Sequence, residues 1–284
     1  MGAKLAVILA MAAAGAAGAQ PAERPRGCEA VAAQPQTLPG AESFTYEAAG
    51  RDLRLHVYPA AGGGAAQPAI LFFFGGGWRQ GDVRAFEGQA QAMAQKGMVA
   101  VLADYRVTCR DGTTAAESAQ DAMAAYDWLR AHAAELKIDP ERVVLAGGSA
   151  GGHLALATAM RAADRPAALV LFNPAVDLVS IAPALRLSPE AARAISPSAL
   201  PAGGLPPTMI FHGQADVTVP IQTVRDFCRR ASEAGRRCEL HEYAGQTHGF
   251  FNSRAEDPAI GASPYADTLA RAIAFLQGLE LARP

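Results

Sequence analysis

Short runs of uninterrupted apolar residues recur along this 284-residue chain: AILFFF at 69–74, MVAVLA at 98–103, RVVLAG at 142–147, AALVLF at 167–172 and TMIFHG at 208–213. A strand with one wet face alternates apolar and polar residues. A run without alternation must be covered on both faces, as the strands of a parallel sheet between helices are. The intervening segments supply such helices. Met123, Tyr126, Leu129, Ala133 and Leu136 recur every three or four residues within 114–136, forming one helical face. Residues 219–234 and 264–280 behave likewise, the second opening on Ser263-Pro264 and burying Leu269, Ile273 and Leu276. This alternation predicts an α/β fold with a mostly parallel central sheet flanked by helices. Ahead of it, SFTYE (43–47) and LRLHVY (53–58) do alternate and predict antiparallel N-terminal strands. Residues 177–206 carry prolines and no strand pattern, and are expected to form a short cap insertion in a single domain spanning 43–284.

Composition narrows the partners. Half of the residues are hydrophobic, the formal net charge is -2, and no basic patch stands out, so nucleic acid is not an expected partner. The first residues, MGAKLAVILAMAAAGAAGAQP, place a lysine before an apolar run and end on Ala17-Gly18-Ala19. That is the layout of a signal peptide at 1–19 cleaved after Ala19, which predicts a secreted or periplasmic protein without stable membrane insertion. Residues 20–42, rich in Pro, Ala and Gln, are expected to be a flexible lead-in. Export permits disulfides, and four cysteines allow three pairings. Cys228 and Cys238 flank Gly235 between a helix and a strand and are the favoured pair. Cys28 and Cys109 remain by elimination, and four free thiols are the alternative. Nothing has the Cys-His spacing of a zinc site, and no metal or organic cofactor is implied.

The chemistry concentrates in RVVLAGGSAGGHLALATAM, 142–160. Gly147-Gly148-Ser149-Ala150-Gly151 is G-x-S-x-G between a strand and a helix, the context in which a sharp turn exposes a serine Oγ. Ser149 is therefore the candidate nucleophile, with the Ala150 N–H and the helix N-terminus facing whatever Oγ attacks. A serine hydroxyl needs a base. Of the six histidines, His248 lies in a polar loop, GQTHGFF, after the last strand, RCELHEY. His56 and His241 fall within strand patterns, His132 on a helix, His153 on the turn after Ser149, and His212 at a strand end. Asp216, just past the strand TMIFHG, is the candidate acid that orients the base; Asp177 and Glu242 are its rivals. The order Ser149, Asp216, His248 is that of α/β-hydrolases. An attacked carbonyl becomes an anion and needs N–H donors, and the FFFGGGW stretch at 72–78 follows a strand as an oxyanion loop should. Gly76 and Gly77 join Ala150 as its candidate donors.

FFFGGGW, DYR (104–106), GGSAGGH, GQAD and HGFF, in this order, resemble secreted bacterial α/β-hydrolases of the hormone-sensitive-lipase and feruloyl/acetyl-esterase type, over residues 43–280. The resemblance implies an α/β-hydrolase fold and ester hydrolysis through an acyl-enzyme. It carries the same roles onto Ser149, Asp216, His248, Gly76, Gly77 and Ala150. With export, it points to short acyl esters, such as acetyl groups on polysaccharides or smaller carbohydrates. Trp78, beside the oxyanion loop, is a candidate flat substrate-binding platform for a sugar or aromatic ring, with a packing tryptophan as the alternative. Many relatives place a histidine before the three glycines to brace the loop. This chain has Phe74, and apolar packing of Phe74 is expected to take over that support. Two other readings compete. A prolyl-oligopeptidase-like exopeptidase would usually carry an N-terminal propeller and acidic residues for a free amino terminus, and neither is visible. A non-catalytic binding protein on this scaffold typically loses Ser or His, and both remain.

Overall fold

The protein is described by a computed structural model covering Cys28, Val31 and residues 33–284 except Ala65. The expected signal peptide at 1–19 lies outside the described residues. Eight strands form one sheet in the order β1-β2-β4-β3-β5-β6-β7-β8. They are β1 (Glu42–Ala48), β2 (Arg51–Tyr58), β3 (Gln67–Phe73), β4 (Val99–Ala103), β5 (Ile138–Gly148), β6 (Ala168–Phe172), β7 (Thr208–Gly213) and β8 (Cys238–Tyr243). β1 pairs with β2, and β2 with β4, antiparallel; every other pairing is parallel. All five residues of β4 and all five of β6 are buried, as their unbroken apolar runs require.

The helices are α1 (Glu87–Gln95), α2 (Thr108–Asp111), α3 (Ala115–Ala131), α4 (Ala150–Arg161), α5 (Pro189–Ile195), α6 (Ile221–Glu233) and α7 (Pro264–Gly278). α3 starts on a capping box, in which Thr114 and Glu117 satisfy each other's backbone N–H groups. After β3 the chain crosses through α1 to β4 on one side; after β4 it crosses through α3 to β5 on the other. The strand order therefore reverses between β3 and β5, and ligands of open α/β sheets bind beyond the carboxyl ends of strands at such a point. Phe73 of β3 lies in register with Gly147 of β5, which sets the glycine loop beside the G-x-S-x-G turn.

Some elements differ from expectation. α1 has no clear sequence signature, because EGQAQAMAQ offers one bulky apolar residue and buries Gln89, Ala90, Met93 and Ala94. α3 stops at Ala131, five residues early; the chain turns there and reaches β5 through Lys137 at φ 56°. Residues 177–206 hold no strand; they carry the short helix α5 and two 3-10 turns, Pro197–Ala199 and Ala202–Gly204. In the segment 20–42, expected to be flexible, the described residues include exposed Ala33, Gln36, Thr37, Pro39 and Gly40 beside two points of attachment. Leu38 is buried, and the side chain of Gln34 bonds to the backbone of residues 81 and 83. Both cysteine pairs, Cys28–Cys109 and Cys228–Cys238, are disulfides.

Candidate active site

Ser149 sits between β5 and α4 at φ 55°, ψ -119°, a region that L-residues rarely adopt. The turn is forced by its neighbours. A Cβ on Gly151 would collide with the carbonyls of Phe73 and Phe74, and one on Gly147 would stand 2.5 Å from the Gly151 backbone. Only glycine at both positions lets α4 pack this closely on β3, and the strained serine between them is held by Ser149 N donating to Phe172 O at 2.8 Å.

His248 reaches this serine from the loop after β8. Its Nε2 is 2.9 Å from Ser149 Oγ, and its Nδ1 is 2.7 Å from Asp216 Oδ2. Asp216 is buried at the end of β7, so the ion is excluded from water and depends on donors. Its Oδ1 accepts the N–H groups of Thr218 at 2.8 Å and Val219 at 2.9 Å. Its Oδ2 faces His248 and, at 3.5 Å, Nε2 of the buried His212, which also donates to Val219 O at 2.9 Å. Burial lowers the pKa of His212, so the ring is held neutral with its proton on Nε2. The acid thus presents one lone pair to the Nδ1–H of His248, leaving Nε2 free to accept the serine proton.

Asp177 and Glu242 lie elsewhere. Asp177 caps a turn of the insertion through the N–H of Val179, and Glu242 pairs with Arg225 on the surface. His153 does not face Ser149 Oγ. It is fully buried on α4, accepting from Trp78 Nε1 at 3.1 Å and donating to Ile195 O at 2.8 Å. Burial pushes its pKa down to about 4, so it is a neutral tie between the glycine loop and the 177–206 insertion.

The expectation for Trp78 is corrected by the structure. Its side chain is 5% exposed, lies edge-on to His153 at 5.2 Å, and is absent from the lining of the serine pocket. A buried indole must pair its N–H, and His153 supplies the partner, so the ring faces inward and offers no platform.

The glycine loop closes over the serine. A Cβ on Gly75 would lie 3.4 Å from Ser149 Cβ, and Gly76 and Gly77 line the same cavity. Gly76 adopts φ 126°, a conformation that favours glycine. Among the described residues, the N–H groups of Gly76, Gly77 and Ala150 have no hydrogen-bond acceptor. Phe74 is buried and stacks on Tyr105 at 4.1 Å, while Tyr105 OH donates to Phe74 O at 2.7 Å.

The cavity at Ser149 has a volume of about 420 Å³ and a mostly apolar lining. Phe86 and Phe251, stacked at 5.7 Å, stand against Gly148, where an added Cβ would be 2.9 Å from Phe251 Cζ. Asp82, Thr218, Asn252 and Asn173 add polar groups. Asn173 follows β6 with φ 37°; its Nδ2 lies 3.4 Å from His248 Nε2, and its Oδ1 accepts Gly249 N at 3.4 Å. Sequence reasoning passed over Asn173 and the two phenylalanines. A polar residue just beyond an apolar strand, in FNP, was the available signal for Asn173, whereas Phe86 had none.

No helix among the described residues is long and apolar enough to cross a membrane. Residues 70–199 match a family model described as alpha/beta hydrolase fold. Among solved structures, a thermophilic esterase of the planctomycete Thermogutta terrifontis, Est2, is 39% identical in its propionate-bound form. Its TM-score is 0.78, and the match covers 87% of this chain and 97% of that one. The butyrate-bound form is 38% identical with a TM-score of 0.79, covering 87% and 96%. Among curated proteins, the esterase LipC of Mycobacterium tuberculosis is 26% identical over 206 residues, 61% of this chain and 50% of that protein. The chain spans about half the length of the curated relatives it matches.

Proposed function

The chain belongs to the α/β-hydrolase family, and from that premise we propose that it is a serine carboxylesterase acting on short acyl esters. Ser149 is the nucleophile, His248 the general base and acid, and Asp216 the group that orients His248. The observation that carries this reading is the hydrogen-bonded line from Ser149 Oγ through both ring nitrogens of His248 to a buried, fully donated carboxylate.

The steps follow from that line. Ser149 Oγ bonds to the ester carbonyl carbon as its proton passes to His248 Nε2. The carbonyl oxygen becomes an anion, and the N–H groups of Gly76, Gly77 and Ala150 receive it; removing one such donor typically costs ~3–4 kcal/mol of barrier stabilisation. The tetrahedral adduct collapses, the C–O bond to the alcohol breaks, and the alcohol leaves with the proton from Nε2. Water then repeats the sequence on the acyl-enzyme and releases the acid.

Pocket size supports the short acyl chain. The 420 Å³ must hold both acyl and alcohol parts, and Phe86 and Phe251 wall the side next to Gly148. The Est2 forms that resemble this chain are described as binding propionate and butyrate. With Trp78 buried, the argument for a carbohydrate platform falls away. Acetylated polysaccharides therefore enter only as an arm of the test. Export is part of the proposal, supported by the leader pattern and two disulfides among the described residues; a mature protein beginning at Gln20 is its readout.

The test is hydrolysis of p-nitrophenyl esters of increasing chain length, beside acetate release from acetylated sugars and xylan, by wild type and Ser149→Ala. Wild-type turnover of acetate and butyrate esters, lost in the variant, is expected. No wild-type turnover, or equal turnover in both, defeats the esterase reading. A preference beyond about eight carbons defeats the short-chain reading.

A further inference from the structure

The glycine loop is held at its start by Phe74, which is buried and stacked on Tyr105. We propose that Gln34 is a positioning residue that braces the oxyanion loop from outside, and that the Cys28–Cys109 disulfide fastens the segment carrying it. The inference rests on the oxyanion reading of Gly76 and Gly77.

The Gln34 amide makes two bonds to a stretch of chain 47 residues away. Its Nε2 donates to Gly81 O at 2.7 Å, and its Oε1 accepts Val83 N at 3.0 Å. A planar amide that pairs with a carbonyl and an N–H two residues apart acts as a strand partner would, fixing both position and direction. Gly81 and Asp82 line the Ser149 cavity, so this clamp sits directly behind its wall. Gly81 passes the constraint inward. A Cβ on it would strike the Phe74 ring and the Gly75 carbonyl, and a Cβ on Gly76 would strike the Gln80 carbonyl. The oxyanion glycines therefore rest on the backbone of Gln80 and Gly81, and Gln34 holds Gly81.

A second holder grips the other part of the loop. Thr108 N donates to Trp78 O and Cys109 N to Arg79 O, each at 2.9 Å. Cys109 is bonded to Cys28, upstream of Gln34 on the same N-terminal segment. The disulfide thus joins the two holders, α2 at residues 78–79 and Gln34 at residues 81–83. Among the described residues of that segment only Leu38 is buried, so these ties rather than apolar burial hold Gln34.

A reacting geometry displaced by about 1 Å costs ~10²-fold in rate. Losing one of several ties permits part of that displacement, so Gln34→Ala is expected to lower kcat on p-nitrophenyl acetate roughly 10-fold with KM within about 2-fold. Cys28→Ser/Cys109→Ser is expected to move kcat in the same direction by a smaller factor. The discriminating probe is an aryl trifluoromethyl ketone, whose serine adduct places an oxyanion where the transition state does. Its inhibition constant should rise in both variants by the factor that kcat/KM falls, in protein whose melting shows it folded. Unchanged kcat and ketone affinity in both variants overturn the brace and leave the oxyanion reading standing. Lower kcat with unchanged ketone affinity also overturns it, because the loss would then lie outside the oxyanion loop. A wild type that turns over ester but does not bind the ketone overturns the oxyanion reading, and the brace with it.

Discussion

Replacing Asp216 by Asn removes the charge without changing the shape, and the donors around the carboxylate dictate how the variant arranges its protons. Oδ1 accepts two backbone N–H groups, from Thr218 and Val219, and Oδ2 faces His248 Nδ1 at 2.7 Å. If the Asn NH2 group took the Oδ1 site, it would oppose both backbone donors, each unsatisfied group costing ~1–3 kcal/mol. The amide oxygen must therefore keep that site, which turns the NH2 toward His248. An NH2 group cannot accept, so His248 must present a bare Nδ1 and carry its proton on Nε2. Nε2 then points a hydrogen at Ser149 Oγ, 2.9 Å away, and can no longer take the serine proton. The same tautomer fault in a serine protease triad lowers kcat ~10⁴-fold, which at 1.36 kcal/mol per decade is about 5.4 kcal/mol. The assay is kcat/KM on p-nitrophenyl acetate near neutral pH, with thermal melting as the control, since His212 still has Val219 O as acceptor. A folded Asp216→Asn protein within 10-fold of wild type would refute the tautomer argument.

Other consequences arise from burial and packing. Gly148→Ala places a Cβ 2.9 Å from Phe251 Cζ and 3.2 Å from Phe86 Cζ; a methylene in such a pocket is worth ~1–3 kcal/mol, so the butyrate-to-acetate ratio of kcat/KM should fall at least about 10-fold. The Cys228–Cys238 disulfide closes a separation of 10 residues; on the chain-entropy relation, Cys228→Ser/Cys238→Ser should lose about 2.7 kcal/mol in urea unfolding. His153 has its folded pKa lowered to about 4 from 6.5. Below pH 6.5 the unfolded chain takes up a proton that the folded one refuses, so stability is full above that pH and falls until about pH 4, by about 3 kcal/mol. Buried Asp104, with its pKa raised to about 6 by desolvation, acts oppositely as pH rises from 3.8, so the comparison must be with His153→Gln. Glutamine offers Trp78 an acceptor and Ile195 O a donor without titrating, and the wild-type-minus-variant difference should show the slope; equal pH dependence of unfolding in both contradicts it.

How much was legible in the sequence depended on how local the cause was. Unbroken apolar runs fixed the enclosed strands, because burial on both faces leaves no choice of residue. The G-x-S-x-G turn was legible because glycine is the only residue that fits against the Phe73 carbonyl. His248 and Asp216 could be picked out as loop residues at one sheet edge, although 32 positions separate them. Trp78 was misjudged, since nothing local says that an aromatic at φ 58° will turn inward to meet a histidine 75 residues away. Gln34 was hidden in the same way: its partners lie 47 and 49 residues on, and the surrounding composition reads as loose chain. The disulfide and backbone contacts that order it are tertiary, and α1 hides because alanine suits either face of a helix.

The central claim is that Ser149 becomes acylated. A rapid-quench reaction with p-nitrophenyl acetate, digested and analysed by mass spectrometry, should show one acetyl group on the peptide carrying Ser149. The label should persist longer in Asp216→Asn if that variant slows deacylation more than acylation, and should be absent in Ser149→Ala. Acetyl label on another residue during turnover, or steady turnover by Ser149→Ala with no label, would contradict the account.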